Sequence, residues 1–193
     1  MLVAIAIDKS FLKSTDQTLG EFLDPTIYTF SAEKSAIKIK HLLSMTSGFE
    51  WEELQSVSGY NNWITSENQV QYLLNKPLVN VPGEYFTYNS AALHLLSVIL
   101  TKATGMPTKD FALKFLFEPL GIVEIDWQTD KQGFYNGGAG LKITPLDMIK
   151  IGDLVLNEGV YAEKTIISAH NINQIFVSKI GTNNTMLYGS NYG

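Results

Sequence analysis

Apolar residues recur at spacings of three and four in several stretches of the chain, and this period predicts a mainly helical molecule. The clearest case is Leu93, Leu96, Leu100 and Ala103, which would form one apolar face of a helix ended by Gly105. Pro107 opens another helix, with Phe111, Phe115 and Leu116 inward and Pro119-Leu120-Gly121 as its exit. Thr144-Pro145-Leu146-Asp147 is a helix start: a capping threonine, proline at the first helical position and a carboxylate three residues on. Met148, Ile151 and Val155 would then supply its buried stripe, with Gly159 as the stop. Shorter helices are expected over Ile37 to Met45, Glu67 to Leu74 and Ser168 to Val177. Gly48 is the expected left-handed cap of the first of these, because glycine takes positive φ without strain. Residues 1–9 read as the last turns of a buried helix, closed by Lys9 and Ser10.

The remaining segments are short and irregular. Residues 50–66 mix aromatic and polar side chains around Gly59-Tyr60-Asn61-Asn62, which predicts a surface loop. Strand character is confined to Ile122–Trp127 and Gly140–Ile143. Between them, Asn136-Gly137-Gly138-Ala139-Gly140 is a tight passage whose glycines would allow close backbone packing. It lacks the Gly-Lys-Ser/Thr ending of a phosphate loop. No repeat or linker divides the chain, so residues 1–193 are expected to belong to one domain.

Composition removes several classes of function. A formal charge of −5 with only 14 basic residues, and no basic run, excludes nucleic acid as the expected partner. Without cysteine there is no disulfide framework, thiolate metal site or thiol nucleophile. His41, His94 and His170 have no metal-binding spacing, and no metal is expected. His41 and His94 sit in apolar helical sequence and are expected to be core or interface residues. No run reaches the roughly 18 apolar residues of a membrane span. Leu2–Ile7 lacks the basic start and cleavage site of a signal peptide and reads like a helix entered in its middle.

Four stretches, in order, carry a resemblance. They are His41-Leu42-Leu43-Ser44-Met45-Thr46-Ser47-Gly48, Pro82-Gly83-Glu84-Tyr85-Phe86-Thr87-Tyr88-Asn89-Ser90, Phe117-Glu118-Pro119-Leu120-Gly121, and Gly137-Gly138-Ala139-Gly140-Leu141 with Thr144-Pro145-Leu146-Asp147-Met148. Together they resemble the serine β-lactamase and penicillin-binding-protein family, nearest its class C β-lactamase-like branch, over about residues 1–177. The resemblance implies an α+β fold of the β-lactamase/transpeptidase type, an antiparallel sheet flanked by helices and joined to an all-helical part. This chain would hold mostly the helical part, with the main sheet strands largely missing.

The resemblance also implies the chemistry: acylation of a serine and hydrolysis of a small-molecule amide, ester or β-lactam. Serine is a weak nucleophile until a base takes its proton, and its tetrahedral intermediate needs N–H donors. In the family a Ser-x-x-Lys turn, a Tyr-x-Asn motif and a third motif on a strand supply these groups, with no cofactor. Tyr88 matches the motif tyrosine and is the expected catalytic residue. An ordinary phenol titrates near 10, so neighbouring lysines would have to favour its ionised form. Asn89-Ser90 stands where Ser-Asn is commoner, and both are expected on the substrate-binding side. Serine offers a single hydroxyl where asparagine offers both a donor and an acceptor, which shifts weight from β-lactams toward esters or small amides.

Ser10-Phe11-Leu12-Lys13 and Ser31-Ala32-Glu33-Lys34 fit the letters of the nucleophile motif, but both lie in polar, turn-rich sequence. The nucleophile segment is therefore expected upstream of Met1, and Tyr188-Gly189-Ser190-Asn191-Tyr192-Gly193 resembles the entrance to the strand before the third motif. The alternative is a truncated, inactive helical module with a binding role or none. Related proteins often work in the bacterial cell envelope, while the sequence itself assigns neither envelope nor cytoplasm. Trp51, Trp63 and Trp127 are expected to pack, with the loop of Trp63 able to rim a cleft.

Overall fold

A computed structural model describes residues 1–53 and 58–177, together with the backbone of residues 180–181 and 191–192. Helices dominate: α1 (Leu2–Asp8), α2 (Ala32–Ser35), α3 (Ile39–Leu43), α4 (Ser58–Ile64), α5 (Gln69–Leu74), α6 (Ser90–Thr104), α7 (Thr108–Ala112), α8 (Pro145–Leu156) and α9 (Ala169–Phe176). Among the described residues, strands occur only as antiparallel two-residue pairs: β1 (Asp126–Trp127) with β2 (Leu141–Lys142), β3 (Val160–Tyr161) with β4 (Lys164–Thr165), and β5 (Ile180–Gly181) with β6 (Asn191–Tyr192). Residues 188–190 and 193 of the strand entrance expected at the end of the chain lie outside the described residues. No described helix is long and apolar enough to cross a membrane.

Helix α6 is the axis of the molecule. It begins at Asn89, whose side chain accepts the N–H of Ala92, and ends at Gly105 in the left-handed region. Around it pack α1, α3, α4, α5 and α7. Its expected single apolar face is a correction: Ala91, Ala92, Leu95, Leu96, Val98, Ile99 and Leu100 are all buried, so the helix is enclosed almost all round. Leu93, expected inward, is only half-buried. A helix that is apolar on most sides needs neighbours on most sides, and five helices supply them.

Polar ties fix those neighbours. Thr108 Oγ1 donates to the carbonyl of Ser97 at 2.8 Å and fastens the start of α7 to α6. Helix α7 runs on through a π-helical turn, Leu113–Phe117, and a 3-10 turn, Glu118–Leu120, to a left-handed Gly121. Phe111 and Leu116 are buried there as expected, and Phe11, Phe111 and Phe115 meet ring to ring, the closest pair 4.9 Å apart. At the far end of the sequence, the carboxylate of Asp8 accepts the N–H of Ser168 and the side-chain amide of Asn171, both at 2.7 Å. The end of α1 thus holds the start of α9.

Three further expectations change. The left-handed exit of α3 is Met45, with φ 53°, while Gly48 takes φ 83° three residues later. A Cβ on Gly48 would lie 2.3 Å from the carbonyl oxygen of Asn80, so that turn admits only glycine. The loop expected over residues 50–66 contains α4, with Trp63 wholly buried and its indole N–H donated to the carbonyl of Gln69. Burial of one large ring outweighs the poor helix propensity of Gly59, Asn61 and Asn62. In α8 the inward face is Asp147, Ile151, Leu154 and Val155, whereas Met148 is 61% exposed. Asp147 is turned in because its carboxylate accepts the Thr144 hydroxyl and pairs with Lys150, whose ammonium donates to the carbonyl of Gly121. That rotates Met148 about 100° off the buried stripe.

Candidate active site

Tyr88 stands where an extended segment enters the first turn of α6. Two backbone connections set its position. Gly83 N–H donates to Thr46 O at 2.8 Å, and Thr87 N–H donates to Met45 O at 2.9 Å. The Ser44–Gly48 turn is stiffened by the Ser44 hydroxyl, which donates to Lys40 O and lies 2.9 Å from Thr46 Oγ1. The first two matching segments of the sequence are therefore one structural unit, and the unit delivers Tyr88, half-buried, at the helix start.

Asn89 is the helix cap, with Oδ1 accepting from Ala92 N–H at 2.8 Å, and is 1% exposed. Its Nδ2 finds no hydrogen-bond partner among the described residues. Ser90, 3% exposed, is the first helical residue. Its hydroxyl donates to Glu53 Oε1 at 2.5 Å and its N–H to Glu53 Oε2 at 2.9 Å. The indole N–H of Trp51 donates to the same Oε2 at 2.8 Å. A carboxylate at a helix start meets unpaired N–H groups and the positive end of the helix dipole, which favours this arrangement. Asn89 and Ser90, expected on the substrate-binding side, are thus the cap and the first residue of α6.

Glu53 was not singled out in the sequence. One acid in a polar stretch carries no signal, and its partner lies 37 residues away. Trp51 belongs to a cluster of rings: it meets Trp63 edge-to-face at 6.2 Å and Tyr72 at 6.5 Å, and Tyr60 meets Trp63 at 5.6 Å. Burial, and then the charges of Glu53 and Tyr88, raise the Tyr60 hydroxyl above its ordinary pKa.

The glycine-rich passage lies directly on α6. A Cβ on Gly137 would stand 2.4 Å from Leu93 O, and one on Gly138 2.2 Å from Ser90 O. Only glycine permits that approach. Gly137 N–H also donates to His94 Nδ1 at 3.4 Å, which leaves the ring proton on Nε2, 3.0 Å from Asp130 Oδ2. Asp130 Oδ1 in turn accepts the N–H groups of Gln132 and Phe134. His94 is the core residue expected of it, and it ties the passage to the helix that carries Ser90.

Neither expected near-match to the nucleophile motif lies within a buried helix. Ser10 sits in a left-handed turn, and Ser31 caps the four-residue α2. Lys34 donates to Leu74 O. A third near-match, Ser35 to Lys38, ends α2, and its lysine pairs with Asp16. Among the described residues no cluster of three His, Asp or Glu could hold a metal ion.

The family model described as Beta-lactamase matches residues 14–186. The chain therefore belongs to the β-lactamase family, whose members are serine hydrolases. It is 31% identical over 103 residues to ML-236A carboxylate methylbutanoyltransferase of Penicillium citrinum, a stretch covering 50% of this chain and 24% of that protein. Its fold is similar to that of EstCE1, a hydrolase with promiscuous acyltransferase activity, with TM-score 0.71, 19% identity, and 93% and 61% of the two chains covered. It is also similar to the octameric penicillin-binding protein homologue from Pyrococcus abyssi, with TM-score 0.68, 18% identity, and 100% and 49% covered. These likenesses establish the α+β β-lactamase/transpeptidase fold, of which the described residues supply mainly helices. The chain spans 61% or less of each of these relatives.

Proposed function

We propose that the protein carrying this chain transfers the acyl group of a small ester or amide to a serine and then to water or an acceptor alcohol, with Tyr88 moving the proton. One observation carries this reading: the Ser44–Gly48 turn, the segment ending at Tyr88 and the start of α6 form a single hydrogen-bonded unit, stiff enough to hold a phenol in place. Positioning of this kind is what a proton-transfer group requires.

The serine oxygen attacks the carbonyl carbon as its proton passes through Tyr88 to the leaving oxygen or nitrogen. The carbonyl–leaving-group bond breaks and an acyl-serine remains. Water, or an alcohol, then attacks that ester, and its proton returns by the same route to the serine. Hydrolysis and acyl transfer differ only in this second nucleophile. The similarity to a methylbutanoyltransferase and to EstCE1, a hydrolase with promiscuous acyltransferase activity, supports keeping both outcomes within the reading. β-Lactams remain within the same chemistry.

The serine lies upstream of Met1 in this reading, and residues 1–193 are part of a longer domain. Asn89 and Ser90, expected on the substrate-binding side, set the turn that presents Tyr88. Full-length protein incubated with a fluorophosphonate, and separately with a penicillin, tests the reading by intact mass. A single stoichiometric adduct on a serine is expected. Folded protein that takes up neither reagent and cleaves no ester contradicts it and favours an inactive helical module.

A further inference from the structure

Glu53 sits in an unusual setting. All three of its described donors, Trp51 Nε1, Ser90 N–H and Ser90 Oγ, are neutral. The chain contains no arginine, and no described lysine lies within 4 Å of this carboxylate, although Asp16, Glu67, Asp126 and Asp147 all have lysine partners. Glu53 is half-buried, and the indole N–H of Trp51 is donated to its carboxylate. It is fixed to Ser90, two residues from Tyr88. Its negative charge is therefore held at a constant place near the tyrosine, in surroundings that screen it less than water does.

A partly desolvated carboxylate attracts cations through Coulomb energy. It repels a carboxylate brought to the same place. We infer that Glu53 is a specificity-determining residue, selecting acyl groups that carry an ammonium or quaternary ammonium close to the reacting carbonyl and rejecting those that carry a carboxylate there. The inference rests on Tyr88 being the proton-transfer group of the acylation site. It adds the charge class of the acyl group, which the family does not assign.

The test uses full-length protein and three p-nitrophenyl esters of matched length: valerate, γ-trimethylammoniobutyrate and glutarate. The expected kcat/KM for the cationic ester exceeds that for the anionic one by about tenfold or more. Glu53→Gln keeps a carbonyl acceptor for Ser90 and removes the charge. It should bring the ratio to within about threefold of unity, the cationic ester losing most and valerate least, and Glu53→Asp should restore part of the preference. The unmutated protein alone already tests the charge preference, should the variant fail to fold. Hydrolysis of valerate with equal rates for the two charged esters, or an unchanged ratio in Glu53→Gln, overturns the inference and leaves the hydrolase reading standing. Cleavage of none of the three esters by folded protein, with no serine adduct, overturns both.

Discussion

Glu53 holds Ser90 by its main-chain N–H and its hydroxyl at once, 2.9 and 2.5 Å away, across 37 residues of sequence. This two-point contact pins the aromatic segment of residues 51–53 to the start of α6. Glu53→Ala leaves two Ser90 donors and the Trp51 indole without their acceptor, at a cost of about 1–3 kcal/mol. A double-mutant cycle with Ser90→Ala should show coupling of about 0.5–3 kcal/mol. Strictly additive losses in denaturant titrations would mean that the contact contributes nothing specific.

The His94–Asp130 pair is a second long-range tie, buried on both sides. Asp130→Ala strands the His94 N–H and the N–H groups of Gln132 and Phe134. Leaving a buried donor without its acceptor costs about 1–3 kcal/mol. A shift of the denaturation midpoint below about 1 kcal/mol would show that water replaces the carboxylate without penalty.

Gly138 is where the glycine-rich passage touches the tyrosine motif. Alanine there places a methyl group 2.2 Å from the backbone oxygen of Ser90, which neither backbone can accommodate without moving. Overpacking of this kind costs about 1–3 kcal/mol. Gly138→Ala should also lower ester turnover, since the displaced turn carries Tyr88. Full activity with full stability would place the passage elsewhere.

His41 links the first two motif segments. Its Nδ1 accepts the N–H of Lys38, and Gly83 packs on its ring. Burial first, then the charges of Lys40 and Lys38, hold its pKa below the ordinary 6.5. The unfolded chain therefore takes up this proton at higher pH than the folded one. The stability contributed by neutral His41 is full above about pH 6.5 and is lost as pH falls below it. Melting temperature should drop more between about pH 8 and pH 5 in the natural protein than in His41→Asn. Parallel curves would remove His41 from the account.

Local chemistry was legible in the sequence. Thr144 and Pro145 open α8, Gly105 closes α6, and Gly137 and Gly138 make the close approach that their clustering predicts. The two helix ends depend on residues within a turn of each other, and the close approach on the glycines' own lack of a Cβ. The missed ones depend on partners brought together by folding. Glu53 meets Ser90, and His94 meets Asp130, over separations that no spacing rule connects. Helix α4 was hidden for a related reason: Gly59 and Asn61-Asn62 read as loop, and only the core around Trp63 makes the segment a helix. Met148 shows the limit of periodicity, because a partly buried salt link between Asp147 and Lys150 chose the face of α8.

Tyr88 carries the central claim, and its acylation kinetics test it most directly. The rate of p-nitrophenol release in the first turnover is measured for full-length protein and for Tyr88→Phe, with circular dichroism as the check on folding. Removing the phenolic proton relay should slow acylation about 10²- to 10⁴-fold while the melting curve stays unchanged. A folded Tyr88→Phe protein that acylates at the natural rate would contradict the assignment, and with it the role given to the whole Ser44–Ser90 unit.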